Sequence, residues 1–508
     1  MGGTDHEILL SMEKYYLFSR NPVVAFLDKA PEDFTADDII RYVAENGICM
    51  LNFMYPGGDG RLKTLQFVIN SEEYLREILT CGERVDGSSL FPFIDARNSD
   101  LYVLPRFSTA FMSPFAPVPT LVMLCSFFGN DGKPVECTPE FALHKASDLF
   151  KKETSLEFEA MGELEYYVIA PCSEMYPVVD QKGYHESAPF AKFENFRALC
   201  MDAIASTGGE IKYGHSEVGC FTLNGMTYEQ NEIEFLPVPV RKASDQLLIA
   251  KWVIRNLAHK ENLIVTFSPK IIEGKAGSGL HIHMRLKDKE GRNVMLDSDK
   301  NLSAEARKLI AGLMVMAPSL TAFGNTIPSS YLRLVPHQEA PTTVCWGMRN
   351  RAGLVRVPLG WTSTSDMSAI ANGFKPEMGG IKDASQRQTI EIRSGDGSAN
   401  IPSYLAAIVT AALEGFRMPD AEQIAWSTFL EGTAKPEDLE ALPASCSESA
   451  QRLDAQRYIY EEDGIFSAMM IDGQIRMLKS YKDADLSKHI KSDSSLLKKL
   501  IADSFHCG

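Results

Sequence analysis

The stretch KAGSGLHIHMRL (275–286) sets a glycine-rich run directly before a His-x-His. Three readings are open: a phosphate-binding loop, a metal-binding strand, or a plain turn leading into a plain strand. In an extended chain His281, His283 and Arg285 share one face, while Leu280, Ile282, Met284 and Leu286 share the other. Three further segments repeat that division. GELEYYVIA sets Glu163 and Glu165 against Leu164, Tyr166 and Val168. QNEIEFL sets Glu232 and Glu234 against Ile233 and Phe235, and TIEIRS sets Glu391 and Arg393 against Ile390 and Ile392. A half-solvated sheet laced with salt bridges explains any one of these strands. Four together, with two glutamate pairs and a His-x-His, point to a concave polar sheet face that holds cations. Clustered carboxylates raise one another's pKa unless a cation offsets the repulsion. Oxygen-dominated ligation with one imidazole suits Mg²⁺ or Mn²⁺ better than zinc.

A second cluster is basic. SSYLRLVPHQEAPTTVCWGMRNRAGLVRVP (329–358) carries Arg333, Arg349, Arg351 and Arg356 among mainly apolar neighbours. Planar guanidinium forks suit carboxylate and phosphate, although structural ion pairs are the plainer alternative. Carboxylate-bound metals together with several arginines are what phosphoryl transfer to an anionic acceptor requires.

The rest of the chain narrows the class. Its 508 residues allow two or more domains and a large core. A net charge of −16, from 51 basic and 67 acidic residues, argues against general nucleic-acid binding. The N-terminal MGGTDHEILLSMEKYY has no signal-peptide pattern, and no apolar run approaches the ~20 residues that span a bilayer. The 10 cysteines form no C-x-x-C pair and read as reduced, mostly buried residues of a cytoplasmic protein.

Local signals give the organisation. Thr35 and Asp38 make a capping box before the amphipathic IIRYVAENG. ICMLNFMY and LKTLQFVI flank PGGDGR as a hairpin, within a small α+β unit over about the first 110 residues. PTLVMLCSFF (119–128) is a buried strand. Short strands then alternate with helices such as SDQLLIAKWVIRNLAHKEN, and the chain from about 415 reads as helical and polar.

At this point the chain resembles the glutamine synthetase family, through motifs in the right order along most of its length. VDGSSL is similar to the family's D-G-S-S segment, GELEYYVI to its E-x-E metal strand, and QKGYHES to the segment bordering the ammonium site. HSEVG and EQNEIEF resemble H-E-V and G-Q-x-E, and KAGSGLHIHMRL resembles N-G-S-G-M-H-x-H. SSYLRLVPHQEAP, RNRAGLVRVP and TIEIRSGDGSANIPSYLA resemble the arginine blocks and the final metal strand.

The resemblance implies an α+β fold. A small β-grasp-like domain would cover 1–112, and a catalytic domain with a curved antiparallel sheet, of the glutamine synthetase/guanido kinase kind and flanked by helices, would cover 113–508. It implies ATP-dependent ligation of ammonia to glutamate through γ-glutamyl phosphate, with Mg²⁺ or Mn²⁺ as cofactor. Glu165, Glu217 and Glu232 would hold one metal, and Glu163, His281 and Glu391 the other. Arg351, Arg356 and His283 would meet ATP. Arg333 would hold the α-carboxylate and Arg393 the γ-carboxylate, with the Gly277 backbone beside the substrate. Ammonium would bind near Asp86, Ser89, Tyr184 and Glu217, and Glu339 would sit on the loop that closes the site. The D-G-S-S segment implies sites between subunits of stacked rings, typically dodecamers, while charge and hydropathy argue against nucleic acid and membrane as partners.

Departures concern the substrate. Ala276 stands where the family has Asn, Arg285 where a small hydroxyl residue is usual, and Thr389 where many members have arginine. Glu217 and Glu232 lie unusually far apart, so CFTLNGM reads as an inserted loop near the metals. No tyrosine occurs between Tyr404 and Tyr458, which removes the tyrosine-modification loop of some bacterial members. Three competitors remain: a γ-glutamyl ligase that uses an amine, a non-catalytic relative, and a His-x-His metallohydrolase. The second is disfavoured by the intact ligand set. The third is disfavoured by the few histidines after His283, namely His337, His489 and His506.

Overall fold

The computed structural model describes residues 18–173, 175–335, 340–360, 367–373, 384–432, 438–484 and 494–508. Near the N-terminus Thr35 caps the helix Ala36–Glu45, and the Asp38 carboxylate accepts the Thr35 N–H at 2.9 Å, completing the capping box. This helix buries Ile39, Ile40, Tyr42 and Val43 in the first core. β1 (Met50–Pro56) and β2 (Leu62–Val68) pair antiparallel around the PGGDGR turn. With β3 (Glu83–Asp86), β4 (Asp100–Pro105), β5 (Phe111–Met112) and β6 (Thr120–Phe128) they form a sheet ordered β2-β1-β6-β4-β3, with β5 also on β6. The buried strand β6 lies at its centre, parallel to β1 and antiparallel to β4. The first sheet therefore runs to Phe128, past the expected position 112. An apolar run shows that a strand is buried, not which sheet buries it.

The second sheet holds β7 (Glu157–Pro171), β8 (Ile211–Leu223), β9 (Met226–Phe235), β10 (Val238–Pro239), β11 (Ile264–Thr266), β12 (Leu280–Lys287), β13 (Trp346–Met348), β14 (Val355–Val357) and β15 (Ile390–Ile392). Its order is β13-β14-β15-β12-β7-β9-β8, with β10 and β11 also on β7. The four segments with alternating faces are thus direct neighbours. The pairing is antiparallel except between β13 and β14, which run parallel, a departure from the expected antiparallel sheet.

CFTLNGM is not a loop near the metals. Cys220–Leu223 extend β8, Asn224 and Gly225 turn the chain at φ +51° and +75°, and Met226 opens β9. Asn-Gly with two positive φ values is a turn whose twist matches that of the strands it joins. The added residues lengthen the hairpin beyond Glu217 and Glu232.

The apolar face of this sheet rests on helices. Leu164, Ile233, Leu280, Ile282 and Ile392 share one core with residues of the helices Pro139–Thr154, Val240–Lys260, Ala304–Gly324 and Ile401–Arg417. Each such side chain, fully buried, contributes about 1.5–3 kcal/mol. Ala304–Gly324 is long and apolar enough to cross a membrane, contrary to the expectation that no such run exists. Its apolar window is 83% buried, so it serves here as a core helix. It crosses Ile401–Arg417 at glycines: a Cβ on Gly415 would lie 2.0 Å from the Lys308 carbonyl oxygen, and one on Gly312 1.9 Å from that of Ala411. The expected C-terminal helices are present at Ala421–Ser427, Cys446–Glu461, Ala468–Ser480 and Ser494–Ser504. Between the two sheets, Arg106 makes a fork to Asp245 at 2.6 and 2.7 Å.

Candidate active site

Strand register assembles the polar face. Across β12, β7 and β9, His281 lies opposite Glu163, Glu163 opposite Glu234, and Glu165 opposite Glu232. On the flanks His283 faces Glu391, Arg356 faces Glu391, and His215 faces Glu232. One cleft of about 1000 Å³ is lined by these residues and by Tyr184, Glu217, Gly277, Arg333, Arg351 and Arg393.

The side chains converge. The Glu163 carboxylate meets His281 Nδ1 at 2.9 Å and His283 Nε2 at 2.8 Å with its two oxygens. His283 Nδ1 lies 2.9 Å from the Thr389 hydroxyl, so the residue in place of an arginine orients this imidazole. Ligating atoms of Glu163, His281 and Glu391 lie within 4.8 Å of one another, as do those of His215, Glu217 and Glu232, and those of Glu163, Glu234 and His283. Glu165 faces Glu232 but turns one oxygen to Gln230 Nε2 at 2.8 Å and to the Gly279 N–H at 2.7 Å. His215 is thus the nearer third partner of Glu217 and Glu232.

The electrostatics fit a cation. Burial, and after it the charges of Glu163, Glu165, Glu217 and Glu234, push the Glu232 carboxyl well above the usual range. Burial also favours the neutral form of Glu163, but the imidazoles of His283 and His281 prevail and hold it well below that range. Burial would lower His283, yet Glu163 keeps it raised. Oxygen donors with a few imidazoles, carrying more negative charge than they can hold alone, suit a hard divalent ion.

The basic end lies alongside. Arg356 donates to Glu391 at 2.9 Å, and Arg393 to the same carboxylate at 3.1 Å and to the Arg351 carbonyl. Buried Arg333 donates to the Ser394 carbonyl at 2.9 Å and lies 3.1 Å from His281 Nε2. Gly277 allows the expected close approach, since a Cβ there would lie 2.4 Å from the Pro269 carbonyl oxygen. The Ala276 carbonyl accepts from the Tyr167 hydroxyl at 2.9 Å. Arg285 also lines the cleft, where its Nε pairs with Glu159 at 2.6 Å.

Other expected residues are placed differently. Asp86 and Ser89 do not line the cleft of their own chain. The Asp86 carboxylate accepts from Ser89 at 2.6 Å and from Ser88 at 2.7 Å, and hydrogen bonds from these hydroxyls and Ser99 hold it well below the usual range. Tyr184 borders the cleft 49% exposed, its ring 4.3 Å from that of His185 and 5.6 Å from that of His215. Glu339 lies outside the described residues. Among the cleft residues that escaped the sequence reading are His215, signalled only by its place two positions before Glu217, and Lys212, which no spacing marked.

Residues 135–492 match the family model for the catalytic domain of glutamine synthetase, and residues 47–129 that for its β-grasp domain. The chain belongs to the glutamine synthetase family. It is similar to the glutamine synthetase of Clostridium saccharobutylicum, 30% identical over 399 residues that span 77% of this chain and 82% of that one. The Thermotoga maritima glutamine synthetase is 28% identical over 448 residues, 85% of this chain and 92% of its own. In fold the chain resembles the solved structure of apo GmaS without ligand, with a TM-score of 0.69 at 19% identity, covering 88% and 96% of the two chains. The N-terminal sheet is accordingly a β-grasp domain, and the family member is an ATP-dependent carbon–nitrogen ligase.

Proposed function

We propose that this glutamine synthetase family member joins ammonia to the γ-carboxylate of L-glutamate through γ-glutamyl phosphate, giving glutamine, ADP and phosphate. The observation that carries this reading is the meeting of a carboxylate–imidazole cluster and an arginine cluster in one cleft.

Glu163, His281 and Glu391 would hold one divalent ion, and Glu165, Glu217 and Glu232, joined by His215, the other. Bound there, Mg²⁺ or Mn²⁺ would neutralise negative charge on the nucleotide and the substrate carboxylate. Arg351, Arg356 and His283 would align the ATP phosphates, Arg333 the α-carboxylate, and Arg393 the γ-carboxylate. A γ-carboxylate oxygen attacks the γ-phosphorus, and ADP leaves with the electrons of the broken P–O bond. Ammonia nitrogen then attacks the acyl carbon, phosphate leaves with the electrons of the broken C–O bond, and the surplus proton on nitrogen passes to the departing phosphate.

Asp86 and Ser89 of a neighbouring subunit would complete the acceptor site with Tyr184 and Glu217, in a homo-oligomer of stacked rings in the cytoplasm. Held ionised by its serines, Asp86 first attracts ammonium. Burial against the neighbour would then raise its pKa toward that of a base. Glu339 would belong to the segment that shields the acyl phosphate from water.

A second reading has a specific observation in its favour. Tyr184 borders the cleft half-exposed, and Ala276 lines the same cleft with a small side chain, which favours room for an amine larger than ammonia. ADP release measured with glutamate plus ammonium, putrescine, ethanolamine or other amines separates the two. Turnover with ammonium is expected; turnover with an amine alone would sink the ammonia reading.

A further inference from the structure

Lys212 lies in the cleft, yet it belongs to neither ion set proposed above. On β8, Ile211 pairs with Phe235 and Tyr213 with Glu234, so Lys212 is the extra residue of a bulge. Bulges re-aim side chains that strict alternation would send to the opposite face. Here the bulge brings Lys212 onto the cleft side together with Tyr213. Its ammonium lies 2.7 Å from Glu234 Oε2 and 4.9 Å from the centre of the Tyr213 ring. Glu234 is nearly enclosed, with its side chain 3% exposed.

Glu234 is also one corner of the third group of ligating atoms, with Glu163 and His283. By donor type alone that group could take a divalent ion as readily as the other two. Its charge says otherwise. Glu163 is already shared with the Glu163–His281–Glu391 set, and Glu234 faces an ammonium. The net negative charge that would draw another cation is largely spent.

We propose that Lys212 is the resident counter-ion of the Glu163–Glu234–His283 cluster, closing it to a divalent ion and limiting the cleft to the other two positions. The inference rests on the metal-binding reading of the cleft and is independent of which nitrogen compound accepts the glutamyl group. The bulge supplies from the chain itself one positive charge beside Glu234, where a third ion would bring two.

Mn²⁺ titration followed by electron paramagnetic resonance and by calorimetry tests this without any turnover. The wild-type chain should bind about two Mn²⁺, and Lys212→Met about three. Lys212→Arg, which keeps the charge, should stay at about two. Lys212→Gln serves as a second neutral variant with the same expectation as Lys212→Met, with circular dichroism checking that each variant is folded. Three ions on the wild-type chain, or an unchanged count in folded Lys212→Met and Lys212→Gln, would overturn the proposal. No bound Mn²⁺ on the wild-type chain would instead remove the metal reading beneath it.

Discussion

Divalent cations should stabilise this chain more strongly the higher the pH. Glu232 decides the sign. Burial and four neighbouring glutamates raise its carboxyl well above the ordinary 4.5, and burial raises Glu234 in the same direction. A group raised in the folded state contributes stability that is complete below its unfolded value and is lost as pH climbs through the folded value. The metal-free chain therefore loses this contribution above about pH 4.5. Glu163 is lowered instead, so its own carboxyl stays ionised above 4.5. Its partner His283 is raised from 6.5, and the stability of that pair is likewise lost as pH climbs through the neutral range. Ions that bind ionised carboxylates compete with the proton on Glu232, so their stabilisation grows over the same window. At a hundredfold excess over Kd, each of two ions adds about 2.7 kcal/mol, or about 5 kcal/mol together. At roughly 2 °C per kcal/mol, the low end expected for large chains, that is a rise in Tm on the order of 10 °C. Scanning calorimetry of EDTA-treated protein, with and without Mn²⁺ between pH 5.5 and 8.5, measures it. A shift that stayed constant or shrank toward pH 8.5 would refute the reasoning.

Two further outcomes follow from placements in the fold. Asp86→Asn and Glu232→Gln should each lower kcat/KM by about 100-fold or more. If the site lies between subunits as proposed, mixed oligomers of the two variants should regain activity, since an intact Asp86 would then meet an intact Glu232; unrecovered activity in verified mixed oligomers would refute that placement. Gly415→Ala should cost about 1–3 kcal/mol in urea unfolding, since the new Cβ would meet the Lys308 carbonyl across the helix crossing. An unchanged midpoint would mean the helices separate freely.

Much of the site was legible because a strand writes its faces into every second residue. Glu163, Glu165, Glu232, His281, His283 and Glu391 could be gathered onto one polar face from alternation alone, and their strands prove to be neighbours. What alternation does not contain is register. That His215 stands across from Glu232, and that Thr389 reaches His283, depends on which residues pair, and pairing is decided by distant segments. Lys212 was hidden for the opposite reason: a bulge breaks the rule by which its side would have been assigned. The misreading of CFTLNGM had a local remedy, since Asn224-Gly225 between alternating strands is among the strongest short-range hairpin signals. β6 had none, because its parallel partner β1 lies far back in the chain.

The lengthened β8–β9 hairpin has a practical use. Its turn ends in open space, with nothing within 4 Å of a Cβ placed on Gly225. The same two strands run from that tip to Glu217 and Glu232. A fluorophore or spin label grafted at the turn would ride on a rigid ribbon anchored in the ion-binding cluster. Movements of the acceptor side during turnover could then be followed from outside the protein.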